Sequence, residues 1–396
     1  MSDRATVRVT RKGADRAASG HPWIFRSDVA ETGNAAPGSA VTVADPRGRV
    51  LGTAHYSSTS QIAIRFLSDR VEPIDAAFFR RRIEAAAGYR TRVVRGSDAY
   101  RMVHAEADLL PALIVDRYGD YLVVQTLDQG MDGAKAVIVD CLTALFAPAA
   151  VVERNDAAVR SLESLPLRKG VLYGELPGEI PVLMNGLRFH ANLIEGQKTG
   201  IFLDQRENYS AAAAACSAGS AARGGHALDC FTCTAGFAMH LAAGAESVEA
   251  VDSSAAALAL ARRNCESNGI ANVSFREADV FDLLGGYVSA RRKFSTVVLD
   301  PPAFAKSRHN LEPALKAYKE INLRALRLLE PGGILVTCSC SHHVSESALL
   351  ETVAAASLDS GRRLRVIERR TQSADHPILL TVAETCYLKC LILQVL

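Results

Sequence analysis

The sequence lacks several features that would commit it to a class. No apolar run approaches the ~18 consecutive residues of a membrane span, and the opening Met1-Ser-Asp-Arg-Ala has no apolar core of a secretory leader. Charge of one sign is also missing. Lys and Arg number 45 against 43 Asp and Glu, a net charge of +2, so bulk charge argues for no nucleic-acid partner and only its distribution can. Apart from an Ala-rich patch at 211–215 there is no low-complexity tract, and no internal repeat. Cysteine is present nine times, an odd number in a chain without a leader. The expectation is a reducing cytoplasm, with the cysteines as free thiols, ligands or nucleophiles rather than disulfides.

What is present fits a globular chain. Hydrophobic residues make up 48% and charged residues 22% of 396 residues, enough for a real core and for two or three domains. The pattern predicts an α/β protein in three parts. Residues 1–72 read as a small β unit, with short strands at Val7-Arg-Val, Ala40-Val-Thr-Val-Ala, Arg49 to Tyr56 and Gln61 to Phe66, and a turn at Asp45-Pro-Arg-Gly48. Residues 73–185 read as a small α+β domain. It holds a helix from Ile74 to Tyr89 with Phe78, Phe79, Ile83 and Ala86 on one side, strands at Leu113-Ile-Val-Asp and Tyr121 to Thr126, a helix from Gly133 to Leu145 and a strand from Ala150. Asn185-Gly186 predicts a hairpin turn.

From 186 to 396 strands alternate with helices, the signature of a doubly wound parallel sheet. Predicted strands begin at His226, Ser247, Asn272, Phe294 and Gly333, and a helix from Ser254 to Asn268 is closed by Gly269. Ligands of such sheets sit at the carboxyl ends of the strands. There the sequence has Asp229-Cys-Phe-Thr-Cys-Thr-Ala-Gly236, Asp252 with Ser253, Asp279 with Val280, and Asp300-Pro-Pro-Ala-Phe304. One aspartate could be a helix cap. Four, each at the end of its own strand, point to a site.

The chemistry of that site favours S-adenosylmethionine over a dinucleotide. A dinucleotide needs several glycines so that backbone can approach the pyrophosphate, and this turn has only Gly236. A sulfonium and an ammonium group suit acidic side chains. Asp252 can accept the ribose hydroxyls and Asp279 the adenine amino group, with Asp229, Phe231, Thr232, Gly236, Ser253 and Val280 completing the candidate cofactor turns. Lys198 and Arg206, just before the first strand, are further candidates for cofactor or RNA contact.

Asp300-Pro-Pro-Ala-Phe304 resembles the fourth motif of nucleic-acid methyltransferases. Base-amino methyltransferases place an aromatic directly after the prolines, whereas here Ala303 intrudes. Methylating carbon 5 of cytosine needs a thiolate that adds to carbon 6 and makes carbon 5 nucleophilic. Thr337-Cys-Ser-Cys-Ser341 supplies thiols at the end of the predicted fifth strand. Cys338 and Cys340, two apart on a strand, should face the same side, with Cys340 nearer the site. A buried, inert cysteine is the alternative for each, and neither His342 nor His343 is singled out as an activating base. Cys230-Phe-Thr-Cys233 has no second pair to complete a zinc site, so no metal is expected. Cys141, Cys216 and Cys265 read as structural.

Seven stretches together resemble one family: Gly20-His-Pro-Trp-Ile-Phe25, Glu106-Ala-Asp-Leu-Leu-Pro-Ala-Leu-Ile-Val-Asp-Arg-Tyr-Gly119, Gly196-Gln-Lys-Thr-Gly-Ile-Phe-Leu-Asp-Gln-Arg206, Asp300-Pro-Pro-Ala-Phe304, Ser339-Cys-Ser341, Ala374-Asp-His-Pro377 and Tyr387-Leu-Lys389. They are similar to the bacterial ribosomal RNA large subunit methyltransferase I family, cytosine-C5 methyltransferases of 23S ribosomal RNA. The resemblance implies a β-barrel PUA domain, a central α+β domain and a class I, Rossmann-like methyltransferase domain. It makes Cys340 the nucleophile, in agreement with its place at the strand end; the acid that the chemistry needs, to orient and polarise the base at N3, is expected to be Asp300, and the expected cofactor is S-adenosylmethionine. A target inside a folded RNA must be turned out of its stack to reach Cys340, so accessible or partly assembled rRNA is the expected partner; no membrane is expected, and a homodimer is left open. Cys233 and Ala235 stand where the family has an aromatic and a glycine, and His342 replaces a small residue. A base-amino methyltransferase and a non-catalytic RNA-binding assembly factor are the rival readings.

Arginine is clustered. Seven Arg lie between Arg80 and Arg101 against Glu84 and Asp98, with Tyr89 and Tyr100 among them, and Trp23 and Phe25 fall in an N-terminal basic stretch. Such a mixture suits phosphate contact and base stacking. A solvated helix face explains Arg80-Arg-Arg82 equally well.

Overall fold

The computed structural model describes residues 4–219, 225–305 and 307–396. The chain divides into two units. The first comprises residues 1–183, 191–203 and 374–385, and the second comprises 184–190, 204–373 and 386–396.

The first unit opens with a six-stranded sheet. Its spatial order is Trp23–Phe25, Ile62–Ser68, Val50–Tyr56, Ala40–Ala44, Thr6–Val9, Val29–Glu31. The two outermost strands are joined in sequence by the single turn Arg26–Asp28. Opposite edges tied by three residues force the sheet to curl on itself, which is the expected barrel and hides edge hydrogen-bonding groups. Alternate residues Val7, Val9, Val41, Val43, Ile24 and Ile64 fill its core. The helix Arg11–Ala18 is an addition to the expected pattern. Thr10 caps it, and Gly13 lets it lie close to the Asp28 carbonyl and Ile24.

The same unit continues with the helix Ala76–Val93, capped by Asp75. Its buried face is Phe78, Phe79, Ile83 and Ala86, as the periodicity predicts, and also Arg90. It packs with the helix Lys135–Phe146 on a five-stranded sheet ordered Arg168–Gly174, Ala150–Asn155, Tyr121–Thr126, Leu113–Tyr118, Ala99–His104.

The arginine cluster is partly redirected here. Arg101 sits directly opposite Asp116 across two antiparallel strands and grips its carboxylate with two hydrogen bonds, 2.7 and 2.9 Å. Arg90, fully buried, binds Asp108, the Arg101 carbonyl and the Asp375 carbonyl. Asp375 also accepts from the Arg101 amide. These two arginines, counted by sequence among the RNA contacts, instead hold the interior of the unit. Trp23 likewise donates its indole N–H to Glu106.

A two-stranded hairpin pairs Glu179–Met184 with Leu187–Asn192. Asn185 and Gly186 have φ of +52° and +80°, the two positive values of the hairpin turn that Asn-Gly predicts.

The second unit is built on a seven-stranded sheet. In chain order its strands are His226–Cys230, Ser247–Asp252, Val273–Glu277, Phe294–Leu299, Leu329–Ser339, Leu364–Arg370 and Lys389–Val395. Their spatial order is third, second, first, fourth, fifth, seventh, sixth. The first five are parallel, and the seventh inserts antiparallel between the fifth and sixth. The order reverses between the first and fourth strands. That reversal opens the crevice at their carboxyl ends. The helix read from sequence is present as Ala255–Ser267, capped by Ser254 and closed by Gly269 at φ +65°, and a longer helix covers Leu311–Leu328. Leu228, Val251, Val297, Leu299, Leu335 and Leu391 form part of the core beneath the crevice.

Candidate active site

The first strand delivers Asp229 to the crevice fully buried. One carboxylate oxygen accepts from the Thr232 hydroxyl at 2.6 Å and from the Ala238 amide at 3.0 Å, tying the turn to the helix Gly236–Leu241. The other oxygen has no partner among the described residues. Burial pushes this carboxyl up to about 7, with the Asp300 and Asp252 charges adding to the rise and the Thr232 and Ala238 bonds opposing it. A buried carboxylate oxygen with spare accepting capacity suits a cationic ligand group.

The turn itself is strained. Phe231, Cys233 and Ala235 have φ of +65°, +50° and +67°. Left-handed backbone at a residue other than glycine costs about 1–2 kcal/mol, and such strain collects at ligand-binding turns. Ala235 occupies the position where glycine would carry no such cost. Gly236 also makes a close approach possible: a Cβ there would lie 2.4 Å from Tyr209 Cζ. Its missing side chain makes room for the Tyr209 ring, which also packs edge-on to Phe237 at 4.7 Å.

Asp252 ends the second strand half-buried. It accepts from the Cys233 amide and the Ser254 amide, both at 2.9 Å, so it braces the first turn as well as facing the crevice. Ser253 beside it is exposed. Asp279 is exposed and caps the helix Val280–Ser289 by accepting from Asp282, while Val280 packs in the core. A helix cap is thus part of what Asp279 does.

Asp300 follows the fourth strand. Gln205 Nε2 donates to its Oδ1 at 3.0 Å, and Gln205 is held in turn by Asn208 at 2.7 Å, which bonds Arg370. Gln205 and Tyr209 lie beside the site without having been picked out from sequence. Gln205 stands inside the quoted Gly196–Arg206 stretch, which was the available signal. Phe304 is turned inward, with its ring 4.8 Å from Tyr318 and 6.0 Å from Phe281.

Cys340 lies one residue past the end of the fifth strand, half-buried, with Sγ 4.0 Å from the Pro301 carbonyl oxygen. The expectation that it shares a strand face with Cys338 does not hold, because the strand stops at Ser339. Cys338 is fully buried opposite Cys390, and burial pushes its thiol well up. The segment around Cys340 is pinned. Ser339 and Ser341 both contact the Tyr318 hydroxyl, and Ser341 Oγ accepts from the Ala305 amide. His342 is exposed and His343 half-buried, edge to face with each other.

Arg206 is buried in the second unit, and its carbonyl accepts from Asn185. Lys198 belongs to the first unit, exposed, with its ammonium over the Phe202 ring. Among the described residues no group of three or more His, Cys, Asp or Glu could hold a metal ion. Cys141, Cys216 and Cys265 are buried in helices, as read.

Residues 7–69 match the PUA-like domain family, and residues 167–393 match the S-adenosylmethionine-dependent methyltransferase family. Ribosomal RNA large subunit methyltransferase I of Shewanella amazonensis is 41% identical over 405 aligned residues, covering 100% of both chains. The protein of that name from Shewanella denitrificans is 40% identical over 95% of both, and that from Klebsiella pneumoniae 38% over 93%. A solved putative S-adenosylmethionine-dependent methyltransferase from Streptococcus mutans has the same fold, with a TM-score of 0.82 at 20% identity over 98% of this chain and 99% of that one. A crystal structure of SMU.776, a putative methyltransferase complexed with SAH, gives 0.83 at the same identity and coverage. The family match over residues 167–393 makes S-adenosylmethionine the cofactor, and by its full-length kinship the chain belongs to the ribosomal RNA large subunit methyltransferase I family.

Proposed function

We propose that this protein methylates carbon 5 of a cytosine in 23S ribosomal RNA, with Cys340 as nucleophile. The relatives' names supply ribosomal RNA of the large subunit as the substrate class. The PUA-like domain supports an RNA partner, and free thiols suit a cytoplasmic enzyme. The observation that carries the chemistry is the position of Cys340, just past the fifth strand and against the backbone of the Asp300-Pro301-Pro302 turn. That is where a base held by Asp300 would meet a thiol.

When bound, S-adenosylmethionine supplies an electrophilic methyl group on sulfur. Asp229 would balance the charge of its ammonium end and Asp252 would hold its ribose, with Phe231, Thr232, Ser253, Asp279 and Val280 lining the site. On the protein side, the Cys340 thiolate donates its electron pair to carbon 6 of the cytosine. Carbon 5 thereby becomes nucleophilic and takes the methyl group. Asp300 holds N3 throughout, oriented by Gln205. Loss of the carbon-5 proton then lets the C–S bond break and returns the thiolate. A base inside a folded RNA must be turned out of its stack to reach this thiol, which favours accessible or partly assembled rRNA as the substrate.

The inward packing of Phe304 counts against a base-amino mechanism, which needs an aromatic free to stack on the target base. Radiolabelled S-adenosylmethionine and unmodified large-subunit rRNA test the reading. Wild type should label cytosine at carbon 5, and Cys340→Ser should bind cofactor but transfer no methyl. Full activity in Cys340→Ser, or label on an exocyclic amino group, would sink the proposal.

A further inference from the structure

A thiol has an ordinary pKa of about 8.5, so a nucleophilic cysteine needs a partner that favours the thiolate. Neither neighbouring histidine is singled out for that work. Another group is close by. Lys389 begins the seventh strand, and in the antiparallel register it stands opposite Ser339. Its side chain runs past the end of the fifth strand, where Nζ donates to the Ser341 carbonyl at 2.7 Å and to the Tyr387 carbonyl at 2.9 Å. Cys340 is therefore bracketed by the residue that faces Lys389 across the sheet and the residue whose carbonyl takes its ammonium.

Lys389 is only 5% exposed. Lysine is almost never that buried without a charge partner. Two carbonyls orient an ammonium and satisfy two of its N–H groups, but they do not neutralise it. Burial lowers the pKa of this amine, and the two groups that oppose the drop are the thiols of Cys340 and Cys386.

We propose that the buried ammonium of Lys389 holds Cys340 as its thiolate, making Lys389 the positioning residue that activates the nucleophile. This rests on the reading of Cys340 as nucleophile. The proton of the Cys340 thiol passes to the Lys389 amine, giving an ammonium–thiolate pair with no change in net charge. The thiolate then adds to the base and is returned when the adduct breaks down. The Tyr318 hydroxyl, on the helix Leu311–Leu328, is shifted up by burial and feels Cys340, so it stays neutral. Cys338, on the fifth strand, is raised by burial and by its neighbour Cys390 on the seventh, with Asp300 from the fourth strand adding to that rise. Cys386, in the loop before the seventh strand, is the competing partner.

The test is the pH dependence of iodoacetamide alkylation in the full-length protein, followed at Cys340 and Cys386 separately by peptide mass spectrometry. In wild type the Cys340 midpoint should lie at least one pH unit below the ordinary thiol value. Lys389→Gln keeps a donor for the carbonyls but removes the charge, and should raise that midpoint by a unit or more. Its Cys340 alkylation rate at pH 6.5 should fall about tenfold, while S-adenosylmethionine binding persists. An unchanged midpoint in Lys389→Gln, or a lowered midpoint at Cys386 and not at Cys340, overturns the proposal. If Lys389→Gln does not fold, wild type alone decides, since an ordinary Cys340 midpoint overturns it as well. Methyl transfer by Cys340→Ser separates the two readings. An active Cys340→Ser removes the nucleophile assignment, whereas an inactive one beside an ordinary wild-type midpoint removes only the role of Lys389.

Discussion

Asp229 combines, in one side chain, the local tie that holds the turn and the spare acceptor that suits the cofactor. Its raised value of about 7, caused first by burial, has consequences of definite sign. An unfolded Asp titrates near 3.9, so between that value and about 7 the folded, ligand-free protein holds a proton that the unfolded chain has lost. Its stability therefore falls as pH rises through that window. A cationic ligand group favours the carboxylate, so binding drives deprotonation. Affinity for S-adenosylmethionine should strengthen as pH rises from 6 to 8, when followed by calorimetry in buffers of different ionisation enthalpy, with proton release at the low end. Asp229→Asn should bind more weakly and lose the pH dependence. A wild-type affinity that is flat across this range would refute the assignment.

At the scale of elements, the pair Arg101–Asp116 illustrates what a register position can hide. The strands Ala99–His104 and Leu113–Tyr118 bring the two side chains face to face with Asp116 fully buried, and Thr199 donates to the same carboxylate at 2.6 Å. Removing one member of such a pair leaves an uncompensated buried charge. Arg101→Met should cost about 3–5 kcal/mol in urea unfolding of the full chain, and the double change Arg101→Met with Asp116→Leu should recover most of it. If Arg101→Met costs less than about 1 kcal/mol, the pair is not holding the sheet together. Sequence alone offered Arg101 as an RNA contact because it ends a cluster of arginines with Tyr100 beside it, and its partner 15 positions away is brought opposite it only by the pairing of the two strands. The strand Ala99–His104 was missed because five of its six residues are buried and no alternation shows. The strand Arg168–Gly174 lies at a sheet edge, with no residue fully buried to mark a period. Trp23–Phe25 is too short for a period of two to register. The helix Arg11–Ala18 buries only Gly13 and Ala14, so no apolar stripe announces it. Where side chains of one kind face one environment, as along Phe78, Phe79, Ile83 and Ala86, or from the Ser254 cap to Gly269, the sequence was legible. The candidate site followed the same division. Strand-end acids could be placed by position in the sheet, but Gln205, Tyr209 and Lys389 depend on contacts between distant segments and could not.

Over the whole molecule, a net charge of +2 provides no general attraction to a polyanion, so RNA affinity has to come from local clusters. The structure narrows which arginines are available. Arg90 and Arg101 are consumed inside the first unit, and Arg80 and Arg81 form ion pairs with Glu84 and Glu72. Arg92, in the last turn of the helix Ala76–Val93, and Arg95 just beyond it are exposed. Arg95 bonds backbone carbonyls, which fix its direction without neutralising it. Each arginine that neutralises a phosphate of single-stranded RNA contributes about 0.7 to the slope of log affinity against log salt. If both Arg92 and Arg95 touch the RNA backbone, Arg92→Gln with Arg95→Gln should weaken rRNA binding and flatten that slope by about 1.4. Cofactor affinity and thermal stability should be unchanged, because neither side chain is buried. Filter binding of an rRNA fragment across 50–300 mM salt measures it. A slope unchanged by the double substitution would move the RNA contact off this end of the helix and leave exposed basic residues of the N-terminal β unit, such as Arg47 in the turn before the strand Val50–Tyr56, to carry it.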